Sequence, residues 1–272
     1  MTVAITLILL LIGGLSALMY LAFRRPPANP PKKFRTRGPG PGTHTVTVAF
    51  GDSLTHASLS ADWVGALRER LGPGGHEFVN AGVNGHTTAD LLNRMEEVVA
   101  CRPDAVTILI GTNDARNGIP VTRFRTNLEQ IVDQLQARTT AHIALLSAPP
   151  LGEDLDGPAN RELAPYNAAI KQAATRAGIT YLPTYEHVSE HIRSNSTAPR
   201  FAFSFGLALR VALQHYLLRR SLDDIATGNG LTTLTDHIHL NDRAGTLIAD
   251  LVTEWLSRTL HVDRRHRRGA AV

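Results

Sequence analysis

The chain has 272 residues, carries 28 lysines and arginines against 24 aspartates and glutamates, and contains one cysteine. That length allows one sizeable domain with attachments, and a lone cysteine excludes a disulfide framework or a cysteine-built metal cluster. The positive excess sits at the ends: 24–37 holds six basic residues and 264–268 holds four, so the part between them is acidic and the overall charge is no sign of nucleic-acid binding.

Residues 2–23 are uncharged and almost wholly apolar. Such a run is long enough for a bilayer core of about 30 Å. It lacks the basic start and the Ala-x-Ala site of a cleaved signal peptide, so a transmembrane anchor over 1–23 is expected. The Pro-, Gly- and cation-rich stretch 24–43 reads as an extended linker. Its cations directly after the apolar run favour a cytoplasmic domain by the positive-inside rule, with an exported domain as the alternative.

Over 44–262, β-branched strands alternate with amphipathic helices, the pattern of a parallel sheet covered on both faces. Strands are predicted at 44–50, 77–80, 105–110, 141–147 and 179–182. Helices are predicted at 63–71, at 90–100, from a cap at Thr122 through Leu135, at 164–177, and from Asn241 or Asp242 through Leu260. The fold class is therefore α/β: a three-layer, doubly wound, parallel five-stranded sheet.

About 189–231 forms a helical insert. Within it, Phe201, Phe205, Leu209, Leu213 and Leu217 make one helical stripe, and Phe203, Leu207, Val211 and Leu218 a second. The segment reads as a core helix, as an interfacial helix, or as a cap presenting Phe201 and Phe205 to an acyl group. Arg210, Gln214 and His215 argue against a second membrane span. The basic tail 263–272 reads as a solvated end able to touch anionic lipid.

Three polar turns follow three successive strands: Gly51-Asp52-Ser53-Leu54, Ala81-Gly82-Val83-Asn84-Gly85 and Gly111-Thr112-Asn113-Asp114. Ligands of open α/β sheets bind beyond the carboxyl ends of the strands. A serine hydroxyl becomes a useful nucleophile when a base takes its proton. Histidine is the usual base, with a carboxylate holding its tautomer. Asp236 and His239 are three residues apart, so one loop can carry both. The backbone N–H groups of Ser53 and Gly85 and the Asn113 amide are candidate oxyanion donors. Asp52 and Asp114 read as turn or helix-start braces.

In these blocks the chain resembles the SGNH, or GDSL, hydrolases. Ser53 matches the family nucleophile, Gly85 the oxyanion glycine with Gly82 as a rival, Asn113 the oxyanion asparagine, and Asp236 with His239 the Asp-x-x-His pair. The resemblance runs from about residue 46 to residue 249. Each block is weak by itself, but four in the right order are specific. It implies a flavodoxin-like SGNH fold and cleavage of a carboxylic (acyl) ester by Ser53, His239 and Asp236. It also implies a small-molecule or lipid ester as substrate, and neither cofactor nor metal.

One position departs from the pattern: His237 stands where the family usually has a small residue, often glycine. Spacing favours His239 as the base over His237. No Gly-x-Ser-x-Gly elbow occurs, which disfavours the ordinary α/β-hydrolases. The alternatives are acyl transfer to a sugar or lipid hydroxyl, and a non-catalytic membrane-tethered binding module of the same fold. The twelve histidines show no zinc spacing, and Cys101, at the end of an apolar helix pattern, reads as structural.

Overall fold

The computed structural model of the protein describes residues 2–195 and 202–269. Its centre is an all-parallel sheet of β1 (Thr45–Gly51), β2 (His76–Gly82), β3 (Ala105–Leu109), β4 (His142–Leu146) and β5 (Thr180–Leu182). The strand order is 2-1-3-4-5, so the expected α/β class and five strands are observed. β1 and β3 are buried at every residue, as strands covered on both faces must be. Gly51 pairs with both Gly82 and Leu109. These three strands therefore end level, and their following turns share one edge.

The helices run, in chain order, α1 (Thr2–Met19), α2 (Pro31–Arg37), α3 (Ser53–His56), α4 (Trp63–Leu71), α5 (Thr88–Asn93), α6 (Met95–Val99) and α7 (Thr112–Arg116). They continue as α8 (Val121–Arg138), α9 (Pro158–Ala177), α10 (Thr184–Ser194), α11 (Phe205–Ala212), α12 (Leu222–Gly228) and α13 (Asp242–Gly269). One core layer joins α4, α10 and α13 through Leu67, Val188, Ile248 and Val252. The other joins α5, α8 and α9 through Leu91, Phe124, Leu128 and Ile170.

Several elements differ from expectation. The 90–100 helix is broken at Arg94, which turns out of helical geometry and caps α5. α8 begins at Val121 behind Pro120, the N-cap residue, which makes no side-chain cap. α9 starts at Pro158, whose fixed φ suits the first helical position.

The N-terminal attachment departs further. Among the described residues no helix is long and apolar enough to cross a membrane, so the transmembrane span expected over 1–23 is not found. Regular helix stops after 18 residues, a rise of ~27 Å, and Tyr20–Arg24 forms a π turn. That turn is docked: Ala22 is fully buried, and Leu18 and Phe23 pack on the core.

The stretch 24–43 is folded too. Phe34 of α2 is buried. Asn29 accepts the Asn80 N–H at 3.1 Å through its carbonyl and donates its amide to the Phe78 carbonyl at 2.9 Å. β2 is an edge strand with unpaired backbone groups, and the segment covers them.

In the insert, α11 buries Leu207 and Val211 while Phe205, Leu213, Leu217 and Leu218 are exposed. Among the described residues the first stripe, apart from half-buried Leu209, thus faces out, while the second is divided: Leu207 and Val211 face in, Phe203 and Leu218 face out.

Candidate active site

Ser53 opens α3 directly beyond β1, where the Asp52 side chain caps the turn by accepting the Leu54 N–H at 2.9 Å. α3 lies tight against the end of β2. A Cβ on Gly82 would come within 2.2 Å of the His56 nitrogen and 2.6 Å of the Thr55 carbonyl carbon. Only glycine fits there. The Gly82 N–H is already engaged by Asn80 Oδ1 at 2.9 Å, and the Asn80 amide reaches the Thr55 carbonyl at 2.7 Å. Gly85 is different: its φ is +78° and a Cβ there meets nothing within 4 Å. Of the two rivals, Gly85 is the one in an open loop.

Asn113 lies in the first turn of α7, behind Gly111 with φ +123°. It is buried, and its amide donates to the His86 carbonyl at 3.0 Å and to Asp52 Oδ2 at 3.4 Å. The turns after β1, β2 and β3 thus meet at one point. Asp114 accepts the Thr88 N–H and hydroxyl, the latter at 2.6 Å, so it braces the start of α5.

Asp236 and His239 come from the loop before α13. His239 Nδ1 and Asp236 Oδ2 are 2.8 Å apart, and Asp236 Oδ1 accepts the Ile238 and His239 N–H groups at 3.1 and 2.9 Å. The carboxylate is fully buried and the imidazole largely so. Burial pulls the His239 pKa down, but the Asp236 charge and hydrogen bond, aided by Asp52, more than offset it, so the net direction is up from 6.5. Burial alone would raise Asp236, yet His239 and the two N–H groups hold it below the usual range. Asp52, wholly buried, is pushed up to about 7 by desolvation. Among the described residues the Ser53 hydroxyl makes no hydrogen bond to His239.

His237 has φ +74°, a left-handed conformation that costs an L-residue with a Cβ about 1–2 kcal/mol. That backbone explains why a glycine suits this position. The His237 carbonyl accepts the Gly152 N–H at 2.8 Å, and its ring lines a cleft of about 390 Å³ with Ile238, Leu151, Pro158, Phe203 and Arg116. Arg116 sits 4.8 Å over the Phe203 ring. The cap residues proposed from sequence fare differently: Phe205 stacks on Phe23 at 5.9 Å rather than lining this cleft, and Phe201 lies outside the described residues.

Two supporting residues escaped the sequence reading. Glu153 accepts the Thr232, Thr233 and Leu234 N–H groups at 2.8, 2.7 and 3.0 Å and the Thr232 and Thr233 hydroxyls at 2.9 Å. It clamps the loop that leads into Asp236. Its partners are 79 to 81 residues away, and no local signal announces it. Arg94 donates to the Gly51 and Ala81 carbonyls at 2.8 and 2.7 Å and to His86 Nδ1 at 3.1 Å, and lies 4.7 Å over Phe50. Burial pushes its pKa down to about 10. A cation between Leu91 and Met95 on an apolar helix pattern was the available hint.

The arrangement offers a serine at a strand end, a carboxylate-held imidazole and the buried Asn113 amide beside the Ser53 turn, group types that acyl transfer uses. Solved structures with this fold include the acetyl xylan esterase AlAXEase, at TM-score 0.60 and 19% identity over 78% of this chain and 99% of that one. They also include the acetylxylan esterase Axe2 of Geobacillus stearothermophilus, at TM-score 0.56 and 19% identity over 78% and 94% of the two chains. The lipase/acylhydrolase of Enterococcus faecalis matches at TM-score 0.56 and 19% identity, over 78% and 95%. A search of curated proteins found no match to the chain. The model of the GDSL-like lipase/acylhydrolase family matches residues 49–201, a stretch that holds Ser53, Gly85 and Asn113 and ends before Asp236. Over half of the sequence fits that model, and the chain belongs to the GDSL-like lipase/acylhydrolase family.

Proposed function

We propose that the protein hydrolyses a carboxylic ester with Ser53 as nucleophile, His239 as general base and acid, and Asp236 as the group that orients His239. The observation that carries the reading is the buried Asp236–His239 pair at 2.8 Å, on a loop that Leu240 ties to Ser60 and Ala61, a few residues beyond Ser53. Asp236 holds the proton on His239 Nδ1, which leaves Nε2 to take the Ser53 proton. The Ser53 oxygen attacks the acyl carbon, and the oxyanion is held by the Ser53 and Gly85 N–H groups and by the Asn113 amide, which exchanges its long 3.4 Å contact with Asp52 for it. The alcohol leaves with the proton from His239, and water, deprotonated by the same imidazole, releases the acid from Ser53.

The cleft beside His237 supplies an apolar wall of Leu151, Pro158, Phe203 and Ile238, suited to an acyl group larger than acetate. Acetylated sugars are the competing substrate class, suggested by the acetyl xylan esterases among the fold relatives. The test is a fluorophosphonate probe followed by a panel of p-nitrophenyl esters and acetylated xylo-oligosaccharides. Labelling at Ser53, lost with turnover in Ser53→Ala at an unchanged melting temperature, supports the reading. Full turnover in Ser53→Ala, or no labelling of the folded protein, overturns it in favour of another nucleophile or a binding module.

A further inference from the structure

Every exposed large apolar side chain among the described residues lies on one of two elements: the N-terminal helix with its π turn, or the segment 203–218. Leu9, Ile12 and Leu15 project from α1, and Phe205 and Leu217 are 62% and 68% exposed. A Cβ added at Gly13 or Gly14 would meet no atom within 4 Å, and 12–17 are exposed, so this part of α1 stands clear of the domain. The two elements join: Phe23 stacks on Phe205, and the Tyr216 hydroxyl donates to the Ser58 carbonyl beside the π turn. Water-facing apolar surface confined to one connected region marks an interaction face.

The charge nearest it is mainly positive, with Asp62 beside Arg25 and Asp223 and Asp224 just beyond Leu222 as exceptions. Neither 1–51 nor 191–222 contains an aspartate or glutamate. Arg24 and Arg25 close the N-terminal run, Arg219 follows Leu218, and all three are exposed.

We propose that this region docks on the surface of an anionic lipid bilayer, α1 and the 203–218 segment entering the headgroup boundary together. An apolar surface bordered mainly by arginines suits the headgroup boundary of a bilayer, and each arginine near an anionic leaflet adds attraction. No helix needs to cross the bilayer. Phe203, at the start of the same segment, lines the cleft beside His237 and Ile238, so the docked face adjoins the candidate active site. That last consequence rests on the ester-hydrolase reading; the docking does not.

The test is sedimentation of the full-length protein with vesicles of phosphatidylcholine alone or mixed with phosphatidylglycerol. Wild type should bind the mixed vesicles, more weakly at high salt. Leu217→Asp with Leu218→Asp should weaken that binding about tenfold or more, with turnover of a short soluble ester and the melting temperature unchanged. Arg219→Glu, which leaves the apolar residues in place, should weaken it about fivefold or more on anionic vesicles and leave phosphatidylcholine binding alone. Binding by both variants equal to wild type would mean that α1 acts by itself and would overturn the proposal. So would wild type that ignores vesicles and instead self-associates through Leu217 and Leu218. Because sedimentation needs no turnover, its failure is separable from failure of the catalytic reading.

Discussion

The Glu153 carboxylate accepts the Thr233 backbone N–H at 2.7 Å, tying the loop before α9 to the loop that carries Asp236 and His239. Removing the acceptor leaves three N–H groups and two hydroxyls without their partner. Glu153→Ala should lower stability by about 1.5–3 kcal/mol, as loss of a charged acceptor does, and should lower kcat more than it raises KM. Glu153→Gln, which keeps one carbonyl acceptor, should recover part of both. Thermal melting and steady-state kinetics on one ester check this; kcat unchanged in Glu153→Ala would mean that the clamp does not position the loop.

The two neighbouring histidines should separate cleanly. His239→Ala should cost about 10²-fold or more in turnover, the worth of a general base. His237→Gly should keep turnover within a few-fold and should not lower the melting temperature, because glycine relieves the backbone at φ +74°. Reversed effects in an ester assay would make His237 the base.

The pH profile follows from the direction of the His239 shift. A base works when neutral, and its pKa is raised above 6.5 by Asp236, whose pull exceeds the effect of burial. Turnover should therefore rise with pH through a midpoint above 6.5 and fall away in acid. Asp236→Asn removes the charge and turns one of the two acceptor oxygens into a donor, so the midpoint should move down while the plateau drops about 10²-fold or more. A pH–rate series on both proteins checks the sign; a midpoint that moves up would contradict the assignment.

Gly82→Ala should be damaging although Gly82 carries no chemistry. The added methyl meets backbone atoms of Thr55 and His56 at 2.6 and 2.2 Å, which cannot rotate aside, so α3 must shift and Ser53 with it. Overpacking of this kind costs about 1–3 kcal/mol, and a displacement near 1 Å can cost about 10²-fold in rate. Thermal melting and turnover of Gly82→Ala, measured with the fluorophosphonate labelling rate at Ser53, read both losses.

The five strands, their parallel arrangement and α4 were legible in the sequence, because each rests on local periodicity and on turn residues that act over a few positions. The candidate site was legible as a set of blocks for a related reason. Three of them follow level strand ends at Gly51, Gly82 and Leu109, and Asp236 and His239 share one loop by their spacing.

Only the tertiary structure decided which glycine lies in an open loop, since Gly82 is excluded by contacts with α3 and by Asn80. It also decided that 24–43 folds along the edge of β2, that the Phe205–Leu217 stripe faces out, and that Glu153 and Arg94 brace the loops. Each of these depends on a partner far along the chain: Asn29 on Phe78, Phe23 on Phe205, Glu153 on Thr232 to Leu234. Sequence patterns report which face of an element is apolar. What covers that face, and which polar atom finds a partner, is set by packing between distant segments.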